Sequence, residues 1–300
     1  MLDLVIKNGC IVDGSGAPKF SGEVAIRQGK IVAVDTHISE PAHREIDAAG
    51  QVVAPGFIDV HTHYDAQVLW DPLCTSSSWH GSTTVVTGNC GFTLAPCRPE
   101  DRDYITRMLA VVEDMSLQAL QKGITWNWED FPGYLSAIAQ RPKAINIGCY
   151  VGHSAVRRYV MGADCRRAAT ASEIAHMQEV VGSALRAGAL GVSSSRIPLH
   201  VDGEGKSVPS FYAEMSELLA LGRTLRQAGR GVFEITAKMV LPQSDHEAGD
   251  LADLVALAKE SGRPVTWASV RYLPMYPERS LFILSEVAKA AAREGVRLHP

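Results

Sequence analysis

The sequence lacks any stretch approaching the roughly 18 consecutive apolar residues of a membrane span, and no block of like charge runs through it. Excess positive charge is also missing: Lys and Arg number 29 against 33 Asp and Glu, a net charge of -4, so no nucleic-acid or anionic-lipid footprint is written in the composition. Six cysteines are spread over 300 residues without framework spacing, which argues for free thiols. The opening Met1-Leu-Asp-Leu-Val-Ile-Lys carries neither a basic leader region nor a sustained apolar one, so a cytoplasmic compartment is expected. A Gly-rich G-x-G-x-x-G turn after an early strand is absent too, and with it the usual sign of a dinucleotide fold. What remains is an ordinary globular composition, 46% hydrophobic and 21% charged, whose expected partner is a small molecule.

Two patterns divide the chain. Residues 1–53 read as short strands and turns, with Gln28-Gly29 placed between two alternating apolar runs as a hairpin turn would be. They are expected to form part of a small β-sandwich. From residue 54 to 300, short apolar strands alternate with amphipathic stretches, as in repeated βα units. Strands are expected near 53–60, 83–88, 144–151, 189–194, 231–236 and 264–270, with a seventh opening near Val296. The resulting fold class is α/β, a TIM-like (β/α)8 barrel incomplete at its C-terminus near strand 7. The connection from about Arg98 to Arg141 has no strong apolar periodicity and is expected to be an insertion over the barrel. Its Trp126, Trp128, Phe131 and Tyr134 are read as packing residues in preference to an acyl pocket.

The strongest local signal is Phe57-Ile-Asp-Val-His61-Thr-His63. In an extended segment residues two apart share a face, so both imidazoles can project at the carboxyl end of a strand, where barrel active sites lie. Two neutral imidazoles make half of a zinc site. A bare H-x-H is a weak motif by itself.

Its context is more specific. Ala54-Pro-Gly-Phe-Ile-Asp-Val-His-Thr-His resembles the first barrel strand of the amidohydrolase superfamily. Gly81-Ser-Thr-Thr-Val-Val-Thr-Gly-Asn-Cys90-Gly-Phe is similar to the second strand of its N-acyl-D-amino-acid deacylase (D-aminoacylase) branch, and stretches around His153 and Gly188 resemble its third and fourth strands.

That resemblance implies hydrolysis of an amide C–N bond in a small N-acylated amino acid, with Zn2+ as cofactor, one ion in preference to two. It implies His61, His63 and Cys90 as metal ligands and Arg271 and His153 as substrate contacts; apart from the resemblance, Glu234 or Asp65 is read as an extra oxygen ligand for one ion. The family's metal-proximal Asp is expected beyond residue 300, so no catalytic base is assigned within the chain, and the 300 residues are read as an inactive N-terminal fragment. The match also departs from the family: by alignment Thr236 and Ser269 stand where relatives carry the metal-binding histidines of strands five and six. His200 and His246 are the remaining histidines within reach. This departure keeps two other readings in play, a cyclic-amide hydrolase of the dihydropyrimidinase type and a non-catalytic homologue without its metal centre.

Overall fold

The structure is a computed structural model that describes residues 1–238, 247–270, 272 and 274–300. The chain divides into two compact units, Met1–Phe57 and Ile58–Pro300.

In the first unit, β1 (Leu2–Ile11) runs antiparallel to β2 (Phe20–Arg27) and parallel to β4 (Ala42–Asp47) and to the short β5 (Val52–Val53). The outer strand β3 (Lys30–Asp35) pairs with β2. Gln28 and Gly29 close the β2–β3 hairpin with φ of 52° and 69°, the left-handed pair that a two-residue turn requires. The small core of this unit is Leu2, Val5 and Ala25, supported by Ile38 and Ala42.

The second unit begins within β6 (Phe57–Asp59), at Ile58, and continues through β7 (Ser82–Thr87), β8 (Asn146–Cys149), β9 (Val151–Gly152), β10 (Gly191–Ser195), β11 (Val232–Thr236), β12 (Val265–Ala268) and β13 (Leu298–His299). Strand order is β6-β7-β8 in one sheet and β13-β12-β11-β10-β9 in the other. β8 and β9 are successive parts of one extended segment broken at Tyr150, so the two sheets continue round one arc, in which β7–β8 and the successive pairs from β9 to β13 are parallel. Among the described residues no pairing joins β6 to β13, so closure of a barrel is not seen.

Helices provide the crossovers because their apolar faces cover the sheet. α5 (Ala171–Ala187) starts at a capping box in which Thr170 and Glu173 satisfy each other's backbone N–H groups. It buries Met177, Val181, Ala184 and Leu185, one stripe at helical spacing. α4 (His153–Met161), α6 (Met215–Ala228), α7 (Glu247–Ser261) and α8 (Arg279–Glu294) complete this outer layer.

The 98–141 connection is more regular than its sequence suggests. It folds as α1 (Arg102–Val112), α2 (Leu117–Gly123) and α3 (Phe131–Ala139). In α1, Ile105, Met108 and Leu109 are buried at i, i+3 and i+4, a short stripe hidden in sequence by the surrounding charges. Trp128, Phe131 and Tyr134 join the main core: the Trp128 indole donates to the Leu94 carbonyl at 3.1 Å and the Tyr134 hydroxyl to that of Asp65 at 2.8 Å.

Candidate metal centre

Strand β6 ends at Asp59, so His61 and His63 follow it in the first residues of the next segment. Thr62 holds that segment against β7: its N–H and its hydroxyl both donate to the Val86 carbonyl, at 3.0 and 2.8 Å. The two imidazoles therefore lie together, ring centroids 5.3 Å apart and edge to face.

Cys90 reaches them from the end of β7 on a turn of unusual backbone. Gly88, Cys90 and Gly91 have φ of 80°, 56° and 82°, and a cysteine in this left-handed region costs about 1–2 kcal/mol. Neighbouring groups hold the turn in place. The Cys90 N–H donates to Glu234 Oε2 at 2.9 Å, the Gly91 N–H to Ser193 Oγ at 3.0 Å, and the Ser193 hydroxyl donates to the Gly88 carbonyl. Asn89 Nδ2 ties the same turn to the carbonyls of Thr62 and Val86. An outlier held this firmly is characteristic of a working site.

Gly152 gives the turn its clearance. A Cβ there would lie 2.7 Å from the Gly91 carbonyl oxygen and 2.9 Å from the Thr93 nitrogen, contacts that only backbone movement relieves. Gly152→Ala is therefore expected to displace Cys90 and weaken zinc binding at least tenfold with the helices intact, read by competition with a zinc chelator alongside far-ultraviolet circular dichroism.

Within this arrangement the His61 Nε2 lies 3.2 Å from the Cys90 Sγ. One ligand atom each from His61, His63 and Cys90 falls within 4.8 Å of the others, the only such group of metal-binding side chains among the described residues. His61 and Cys90 of the cluster line a cavity of about 820 Å³ together with Tyr150, His200, Glu234, Thr236, Trp267 and Ser269.

The electrostatics around the cluster suit a cation. Burial lowers both imidazoles: for His61 it outweighs the opposing charge of Asp59, and His63, further depressed by His61 and His200, falls to about 3. Both are neutral at physiological pH and ready to ligate. Burial, reinforced by the charge of Glu234, pushes the Cys90 thiol up. Burial likewise raises the carboxyl groups of Glu234 to about 8, Glu113 to about 7 and Asp65 to about 6, the last against hydrogen bonds from Thr87 and Gly88.

Several buried atoms here lack hydrogen-bond partners: His63 Nδ1, Asp65 Oδ1, Glu234 Oε1 and Trp267 Nε1. Glu113 Oε1 approaches His63 Nδ1 to 3.3 Å without the alignment of a hydrogen bond. Two neutral imidazoles, a thiol and orphaned carboxylate oxygens form the donor set of a borderline-soft dication, so the residues present fit zinc.

The other expected site residues fare differently. His153, the first residue of α4, is fully buried and does not line the cavity; its Nδ1 pairs with Ser194 Oγ at 3.0 Å and its Nε2 with Glu217 Oε1 at 2.7 Å. Both ring nitrogens are engaged within the core, away from the cavity. Thr236 and Ser269 do line the cavity, and the buried Thr236 hydroxyl, like the carboxylate atoms above, has no hydrogen-bond partner. His200 reaches the cavity from the loop after β10, its Nδ1 paired with Ser195 Oγ at 2.8 Å and its ring edge-on to Phe92. Arg271 and His246 lie outside the described residues. Glu113 and Trp267 are not singled out by the sequence, because one caps the end of an insertion helix far from any motif and the other reads as ordinary strand core.

A parallel α/β arc with histidines and a cysteine gathered at its carboxyl ends has the architecture of barrel hydrolases. The chain belongs to the amidohydrolase family, whose model matches residues 44–298. It is 32% identical over 298 residues to a D-aminoacylase of Alcaligenes xylosoxydans xylosoxydans, covering 99% of this chain and 56% of that protein. An uncharacterised protein of Mycobacterium tuberculosis (strain ATCC 25618 / H37Rv) is 37% identical over 241 residues, 76% of this chain and 39% of the relative.

Among solved structures, a D-aminoacylase superposes with a TM-score of 0.79 at 32% identity, covering 99% of this chain and 57% of the other. A D-aminoacylase has also been described with a binuclear metal centre. The N-acyl-D-glutamate deacylase of Bordetella bronchiseptica, complexed with zinc and a phosphonate inhibitor, superposes with a TM-score of 0.78 at 30% identity, with 99% and 57% coverage. The chain thus spans about half the length of the curated relatives it matches. No helix among the described residues is long and apolar enough to cross a membrane.

Proposed function

We propose that this chain carries the metal-binding half of a zinc-dependent hydrolase acting on the amide bond of N-acyl-D-amino acids, with one ion held by His61, His63 and Cys90. The observation that carries the reading is the convergence of those three side chains within 4.8 Å beside the cavity. Bound zinc supplies Lewis-acid activation of an amide carbonyl and of water. The chain's own residues orient the ligands: Thr62 and the Ser193-braced turn fix them, and Tyr150 and Trp267 form part of the cavity wall beside them. A substrate-binding role for Arg271 belongs to the same reading, since a guanidinium pairs with a carboxylate through two hydrogen bonds.

Thr236 and Ser269 in the cavity wall support a second reading, a homologue that retains the fold without a working metal centre, because neither hydroxyl is an ordinary zinc ligand at neutral pH. Plasma emission analysis of the full-length protein separates the two. About one zinc per chain, with hydrolysis of N-acetyl-D-amino acids and not of their L enantiomers, is expected of the hydrolase. Protein that takes up no stoichiometric zinc after loading and dialysis would establish the second reading.

A further inference from the structure

The cavity contains a carboxylate that the three-residue cluster leaves unexplained. Glu234 is the third residue of β11, 3% exposed, and one of its oxygens is engaged by the Cys90 N–H while the other, Oε1, has no partner. Among the described residues no Lys or Arg forms an ion pair with it. An unpaired carboxylate out of water is unfavourable by several kcal/mol unless a proton or a cation compensates it. Asp65 also has an orphaned oxygen, but its other oxygen takes bonds from Thr87 and Gly88 and its side chain does not line this cavity. Glu234 does, beside Cys90 and His61.

The register of β11 explains why a carboxylate stands there. Glu234 and Thr236 are two residues apart in one strand and so share a face, and both line the cavity. The strand-five position that holds a hydroxyl in Thr236 is thus accompanied, one step back on the same face, by an acidic side chain that bonds the backbone of a candidate ligand.

We propose that Glu234 supplies an oxygen ligand through Oε1, so that the metal site of this chain is two imidazoles, one thiolate and one carboxylate in place of a site completed by histidines on strands five and six. This rests on the assignment of His61, His63 and Cys90 as ligands. Glu234 lies outside their 4.8 Å group, on the Cys90 side, and its unpartnered Oε1 is the atom that would complete the site when an ion is held there. Oε2 keeps its bond to the Cys90 N–H, so the residue that orients the thiolate also shares its charge with the metal. Sulfur, nitrogen and oxygen ligands in this number make a four-coordinate site suited to zinc.

The test is zinc affinity of the full-length protein, by isothermal titration against a competing chelator, for wild type, Glu234→Gln and Cys90→Ala. The expected result is a loss of at least about tenfold to 100-fold in Glu234→Gln, and a visible spectrum of the cobalt(II)-loaded variant that differs from wild type in intensity, as it must when a ligand is exchanged. If Glu234→Gln is poorly folded, the infrared difference spectrum of wild type on zinc addition decides: appearance of metal-bound carboxylate bands upholds the proposal and their absence overturns it. Wild-type affinity in Glu234→Gln beside loss in Cys90→Ala would discard Glu234 as a ligand and leave the three-residue site standing. A wild type that binds no zinc would overturn both.

Discussion

Cys90→Ala is expected to reduce zinc from about one ion per chain to a trace, and to weaken binding by more than about 100-fold, because it removes the one anionic ligand of the cluster, where even supporting residues around a metal are worth about 10–100-fold. The thiol is buried and pushed up by burial and by Glu234, so it is neutral without an ion and its proton leaves when zinc arrives. The variant lacks both the thiolate and that proton release. Folding should survive: the side chain is small, and the hydrogen bonds of the turn come from the Cys90 backbone and from Asn89 and Ser193, none of which the substitution touches. A melting series with and without zinc separates the effects. At a zinc concentration about 100 times the dissociation constant the wild type should gain about 2.7 kcal/mol, and the variant should gain almost nothing at the same concentration. An equal gain in both would show that Cys90 is not a ligand.

The largest effect on stability is expected away from the cavity, at Glu217. This residue of α6 is 1% exposed and accepts hydrogen bonds from His153 and from Arg157, a guanidinium that is itself fully buried and also donates to the Cys165 and Arg167 carbonyls. Glu217→Ala strands a buried Arg and is expected to lower stability by about 3–5 kcal/mol, measured by urea denaturation followed by near-ultraviolet circular dichroism. Acid should produce the same loss in the unaltered protein. Burial alone would raise the Glu217 carboxyl, but the hydrogen bonds and charges of His153 and Arg157 outweigh it and hold it below its ordinary value. A carboxyl depressed in the folded state stabilises above its unfolded value of about 4.3, and that contribution disappears as pH falls through the folded value. The wild type should therefore lose stability below about pH 4 more steeply than Glu217→Ala, and parallel pH profiles would contradict the assignment.

Much of the architecture was legible before any coordinates. The strand positions expected near 83–88, 189–194, 231–236 and 264–270 overlap β7, β10, β11 and β12, because buried parallel strands are short continuous apolar runs that stand out against amphipathic helices. The α1–α3 insertion was not legible as helix, since each piece is short and its apolar stripe spans only one or two turns. The surroundings of His153 were illegible for a related reason. A histidine beside a Gly-rich strand end looks poised for a ligand, and only its distant partners Ser194 and Glu217, 41 and 64 residues away, show it as a core residue.

By itself, then, the sequence determined the α/β class, the order of its strands and the pair of histidines at the first of them, because periodicity and motif spacing are local properties of the chain. It also carried the family resemblance, in Gly81 to Cys90 above all. Tertiary structure alone decided the rest. The left-handed turn that aims Cys90 at His61 depends on Glu234 and Ser193, more than 100 residues away, and the commitment of His153 and Arg157 to Glu217 depends on how α4 packs against α6. Those choices follow from the requirement that buried polar groups find partners, and in a parallel α/β fold the partners come from strands and helices that no local pattern connects.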